Sequence, residues 1–105
     1  MKYTLLRTDG TEEILNPIAE NGLSEYQKEE PGSLSLAYMY QKINCSTVEL
    51  VVLNDKMEIW CDEEGLLQDT WEINKKATEL YRENRPGYEL ASLIIVGNAI
   101  LVEHE

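Results

Sequence analysis

The chain has 105 residues, 43% of them hydrophobic, and its twenty acidic against nine basic side chains give a formal net charge of −11. That length and apolar content fit one domain with one core, needing neither disulfides nor metal as staples. The charge lies beyond the magnitude of about 2–8 expected of a small soluble domain and argues against direct nucleic-acid binding. Apolar runs such as Leu93 to Val96 fall far short of the roughly 18 residues that cross a bilayer.

The N-terminus, MKYTLLRTDG, has no apolar stretch of the signal-peptide kind, so the expected location is the cytoplasm. Lys2 to Leu6 and Thr11 to Leu15 flank Asp9-Gly10, a pair that tolerates positive φ, which predicts an opening β-hairpin over residues 1–15. Asn16-Pro17 ends the second strand, and the polar residues 16–32, with Gly22 and Pro31-Gly32, read as a mobile connecting loop. The remaining core is expected over 33–102. From Ser33 or Ser35 as N-cap, Leu36, Met39, Tyr40 and Ile43 follow helical spacing, leaving Tyr38 off the buried stripe.

Val48 to Leu53 is β-branched and apolar, Asn54-Asp55 is a turn pair, and Lys56 to Cys61 resumes strand character, so a second hairpin follows. Asp62-Glu63-Glu64-Gly65 closes it, with Gly65 expected in the left-handed conformation. Three consecutive carboxylates invite a calcium site, but adjacent side chains at a turn tip splay apart and the alternating spacing of an EF-hand loop is missing; no metal site is assigned. Thr70 or Asn74 caps the next helix, with Ile73, Ala77, Leu80 and Tyr81 inward and Lys75, Lys76, Glu79 and Arg82 toward water. Lys75, Lys76, Arg82 and Arg85 form the one concentration of positive charge, able to hold an anion near a helix start or simply to solvate that face. After Pro86-Gly87, Leu93 to Val102 reads as a strand buried on both faces, and Gly97-Asn98 as a bulge in one bent strand in preference to a hairpin turn.

The expected architecture is a single α+β domain in the order ββ-α-ββ-α-β, its antiparallel or mixed sheet packed on one face by two helices. The strand VELVVL, the turn DEEGLL, the helix start INKKAT and the closing IIVGNAILV, taken in order over roughly residues 33–102, resemble an uncharacterised family of small proteins. These proteins occur in bacteriophages, mobile elements and gut bacteria and are grouped as a domain of unknown function. The recognisable pieces are Glu63, Glu64, Gly65, Asn74, Ala77, Thr78 and Gly97; the chain departs from the pattern at Asn44-Cys45-Ser46-Thr47, where a glycine pair is expected. The resemblance implies a phage or mobile-element setting and carries no catalytic residues.

Enzymatic chemistry finds little support in the residues. The one histidine, His104, lies beside the C-terminus where fraying is expected, and Cys45 and Cys61 stand sixteen positions apart, outside metal or redox spacing. None of the common dinucleotide, P-loop or zinc-protease signatures occurs. No cofactor is expected.

Two binding readings follow. The first is docking on a host protein with a basic surface, such as a defence or replication factor, through acidic residues and the aromatic anchors Trp60, Trp71, Tyr26, Tyr38, Tyr81 and Tyr88. The second is a small-molecule module that stacks a nucleotide base on an aromatic and meets its phosphate with Lys75, Lys76, Arg82 or Arg85. The candidate binding residues are Trp60, Glu63, Glu64, Trp71, Asn74, Lys75, Lys76 and Arg82. The acid excess is steeper in residues 54–105 (−7) than in 1–53 (−4), and it serves either solubility or, at the extreme, mimicry of DNA phosphates. The first reading is preferred, because a strongly negative protein opposes the approach of anions.

Overall fold

A computed structural model describes residues 1–23, 34–65, 72–84 and 94–104. The chain forms β1 (Lys2–Leu6), β2 (Glu12–Leu15), α1 (Leu36–Ile43), β3 (Val48–Asn54), β4 (Met57–Asp62), α2 (Lys75–Glu83) and β5 (Ala99–Glu103). The five strands make one sheet in the order β2-β1-β5-β4-β3, with every neighbouring pair antiparallel. The α+β class and the ββ-α-ββ-α-β order expected from the sequence are those observed.

The opening hairpin forms because its turn satisfies its own backbone. Gly10 takes φ +90, Gly10 N donates to Arg7 O at 3.1 Å, and Asp9 Oδ1 accepts from Thr11 N at 2.9 Å. Tyr3 then sits opposite Leu15 and Leu6 opposite Glu12. The second hairpin turns at Asp55-Lys56, where Asn54 Oδ1 accepts from Lys56 N at 2.8 Å, and a register shift lies between Val52 and Asn54.

One expectation about the layers is corrected. The two helices do not share a face of the sheet; they cover opposite faces. Ile100 and Val102 of β5 join Tyr3, Leu5 and Leu15 under Tyr38, Met39 and Ile43 of α1. Ala99 and Leu101, the alternate residues, join Leu6, Ile59 and Cys61 under Ala77 of α2. Successive side chains of a strand point to opposite faces. A central strand whose residues 99–102 are all buried therefore needs cover on both sides, and a one-sided arrangement would leave half of it wet.

The helices differ from expectation in detail. Ser35 is the N-cap of α1, its Oγ accepting from Tyr38 N at 3.2 Å. Met39 and Ile43 are buried as expected, but Tyr38 is buried at 6% exposure while Leu36 is 55% exposed, the reverse of the expectation for those two. The N-terminal chain explains it: Gly22 lies against the Tyr38 ring, where an added Cβ would stand 2.5 Å from Cδ1, and Tyr38 Oη donates to Glu20 Oε1 at 3.0 Å. Lys42 Nζ closes the group 2.8 Å from Glu20 Oε2. Part of the segment read as a loop thus packs on α1; residues 24–33, with Ser33 and the Pro31-Gly32 pair, lie outside the described residues. At the other end, Asn44 takes φ 65 and donates its N–H to Tyr40 O, filling the left-handed position that a glycine usually holds.

The last strand is shorter than expected, and Gly97-Asn98 is a corner, neither a bulge within one strand nor a hairpin turn. Val96 bridges Ile73, Gly97 takes φ +78, and β5 starts at Ala99. Asn98 Oδ1 accepts from Thr8 N at 3.2 Å, tying that corner to the first hairpin.

Candidate functional site

Asn74 organises the junction between α2 and the sheet. Its Oδ1 accepts from Ala77 N at 3.1 Å, which caps the helix, while Nδ2 donates at 2.9 Å to both Leu6 O and Gly97 O. One fully buried amide thereby ties together α2, β1 and the corner before β5. Thr78 adds a second link: its Oγ1 donates to Ile95 O at 3.2 Å and accepts from Ile95 N at 3.0 Å. Gly65 belongs to the same junction, because a Cβ there would stand 2.4 Å from Val96 Cγ2. Among the described residues the left-handed glycines are Gly10 and Gly97, so Gly65 is a glycine for close approach and not for its φ. The residues that carry the family resemblance, Gly65, Asn74, Ala77, Thr78 and Gly97, are thus an internal clamp. Asn74 is sealed from any ligand.

Glu63 and Glu64, by contrast, are exposed at the end of β4. Asp62 Oδ1 accepts from Glu64 N at 2.9 Å, and Glu63 N donates to Thr47 O at 3.3 Å, so the turn is held while its two glutamate side chains face outward. Trp60, two residues before Asp62, is half-buried and packs its ring against the core under α1. From Val48 to Gly65 the hairpin carries six acids and one base, Lys56, a local net charge of −5. No other described segment concentrates charge in this way.

Lys75 and Lys76 are exposed in the first turn of α2, and Arg82 is partly buried in its last turn. At a rise of about 1.5 Å per residue, Lys75 and Arg82 are separated by about 10 Å along the helix axis, too far for one small anion to meet both backbones. The cap on Ala77 N already occupies one of the helix-start donors. Because α2 lies across the sheet from α1, these cations are also on the side opposite Trp60. The structure therefore groups Trp60 with Glu63 and Glu64 and separates them from Lys75, Lys76 and Arg82. Trp71, Tyr26, Tyr88, Thr70 and Arg85 lie outside the described residues.

His104 is not frayed. Its N–H donates to Lys56 O at 2.7 Å and its Nε2 stands 2.6 Å from Glu58 Oε1, next to the turn of the second hairpin. Placing β5 at the centre of the sheet delivers its end against β4, a consequence of topology that position in the chain does not reveal. Burial, and then the Glu49 carboxylate, push the Cys61 thiol up to about 12, while burial and then Asp62 raise Cys45; both are free thiols. Neither has the low pKa of a thiolate nucleophile at neutral pH. Among the described residues, no three His, Cys, Asp or Glu side chains are grouped as metal ligands.

Sequence reading missed Leu50 and Val52. Both were assigned to an apolar strand, yet they are 43% and 49% exposed on β3, which stands at the end of the strand order. The detectable signal was VELVVL itself, in which Leu50, Val51, Val52 and Leu53 load both faces of one strand with apolar side chains. Only the strand order reveals that one of those faces lacks full cover.

The family model described as "Domain of unknown function (DUF3846)" matches residues 15–105. That match covers most of the chain, which therefore belongs to this family, and it extends further toward the N-terminus than the resemblance over 33–102. No curated protein and no solved structure matches the chain.

Proposed function

We propose that this member of the DUF3846 family is a small, acidic, non-enzymatic binding protein of a phage or mobile genetic element. It works in the cytoplasm by docking on a host protein with a basic surface, such as a component of a defence system, and modulates that protein. The observation that carries the reading is the net charge of −5 gathered between Val48 and Gly65, with Glu63 and Glu64 exposed in the turn that follows the strand of half-buried Trp60. An acidic surface of this kind speeds encounter with a cationic partner and fixes orientation more than it adds raw affinity. Sequestering a nucleotide ranks below docking, because Trp60 and the α2 cations stand on opposite sides of the sheet and the overall charge of −11 opposes an anion.

Native mass spectrometry of the tagged protein, recovered from lysate of a Gram-positive host, tests this reading. A stoichiometric host protein that dissociates as salt rises is the expected result. A mass increase of a few hundred daltons with no protein partner would replace docking with small-molecule capture.

A further inference from the structure

The face of the β3–β4 hairpin that looks toward α1 has the anatomy of a protein interface. Leu50 is paired with Trp60 and Val52 with Glu58, so the pleat puts all four side chains on that face. Leu50 and Val52 are two positions apart on one strand, about 7 Å by strand geometry, and Trp60 extends the apolar strip inward to the core. Acids border the strip: Glu58 beside Val52, Asp62 two residues past Trp60 on the same face, Asp55 at the turn, and Glu63 and Glu64 beyond. The other large exposed apolar side chains, such as Ile14, Ile18, Leu36 and Ile73, sit on separate segments. Leu50 and Val52, 43% and 49% exposed, are neighbours on this face, and exposed apolar side chains clustered inside a polar rim mark a docking surface.

Resting on the docking reading above, we infer that Leu50, Val52 and Trp60 form the anchor of the docking face, and that its occupant is a protein segment presenting apolar side chains between lysines or arginines. Charge complementarity selects this occupant over a second copy of the chain. Two copies meeting through this face would set Asp62 and Glu58 of each against an equally acidic rim, with only Lys56 of the hairpin to offset them, and each copy carries −11 overall. A cationic rim instead neutralises those acids while its apolar centre removes Leu50 and Val52 from water.

The test uses the whole chain and two synthetic peptides of equal length and charge, one alternating lysine with leucine and one alternating lysine with serine. Calorimetric titration at about 0.05 M salt is expected to give at least about tenfold tighter binding of the lysine–leucine peptide. Amide shifts in the labelled protein are expected to centre on Val48–Asp62. Leu50→Thr/Val52→Thr places strand-favouring β-branched residues at both positions and should remove the tenfold preference. Glu63→Gln/Glu64→Gln should weaken both peptides alike. Equal affinity for the two peptides, a preference that survives Leu50→Thr/Val52→Thr, or wild-type shifts centred elsewhere would overturn this face and leave acidic docking standing. Failure of both peptides to bind even at low salt would remove the docking reading together with it.

Discussion

Asn74 shows how one side chain can secure three segments. Replacing it by alanine leaves Leu6 O, Gly97 O and Ala77 N without their partner in a site closed to water, and an unmet buried group costs about 1–3 kcal/mol. Asn74→Ala is expected to lower unfolding free energy by about 3 kcal/mol or more, and Thr78→Val, which keeps the shape and loses two bonds, by about 1–2 kcal/mol. Urea unfolding followed by circular dichroism measures both, and equal small losses would show that the clamp is not what holds the junction. Gly65 is tested by coupling. Gly65→Ala drives a methyl into Val96 Cγ2 and should cost about 1–3 kcal/mol, whereas in a Val96→Ala background the added methyl has room. An undiminished penalty in the double variant would place the strain somewhere other than Val96. These residues were visible in the sequence as the pieces of a family pattern; their role was not, because partners as distant as Leu6 and Asn74 meet only after folding.

At the scale of elements, α1 is held as much by the chain that precedes it as by the sheet beneath it. Hydrogen bonds from Lys42 and then Tyr38 hold the Glu20 carboxyl below its ordinary value of 4.5. Burial, and then Glu20, push the Tyr38 phenol above its ordinary 10.0. The depressed Glu20 contributes stability that is present above pH 4.5 and lost as pH falls through its folded value. The raised Tyr38 contributes stability present below pH 10.0 and lost as pH rises through its folded value. The urea midpoint of the wild type should therefore fall off on both sides of this window. Tyr38→Phe should flatten the alkaline side in part, leaving what is due to Tyr3, whose phenol is raised by burial and then by Glu58, and to the Cys61 and Cys45 thiols, which burial also raises. An alkaline slope unchanged in Tyr38→Phe would remove Tyr38 as its source. Helical spacing located α1 and its end, but the side that is buried depended on residues 16–23 folding back over Tyr38, a contact that periodicity does not contain.

For the molecule as a whole, a charge of −11 on one small domain is a source of self-repulsion, sharpest where six acids crowd the second hairpin. Raising salt from about 0.02 M to about 0.3 M shortens the screening length severalfold, so the wild-type urea midpoint should rise. The Glu63→Gln/Glu64→Gln variant should be more stable than the wild type at low salt and converge with it at high salt. A midpoint insensitive to salt would mean that the acids are spaced widely enough to ignore one another. The same crowding gives the acidic face its proposed use, since charges that destabilise the free chain are relieved when a cationic partner covers them.

What the sequence determined by itself were properties carried by neighbours along the chain: the class, the order of elements, the hairpin turn at Asp9-Gly10, a capping residue before each helix (Ser33 or Ser35, Thr70 or Asn74) and the charge bias. Each rests on local backbone preference or on composition, which need no distant partner. The tertiary structure decided which face each helix covers, why Gly65 is a glycine, that Tyr38 is inside and Leu36 outside, that His104 meets Glu58, and that the Leu50 and Val52 side chains are exposed. The burial of Tyr38 depends on residues 16–23 folding back over α1, and the rest follow from a strand order in which β5 lies between β1 and β4 and β3 stands at the end. Strand order is set by contacts between residues far apart in the chain, and alternation within a strand says that two faces differ without saying which neighbour will cover them.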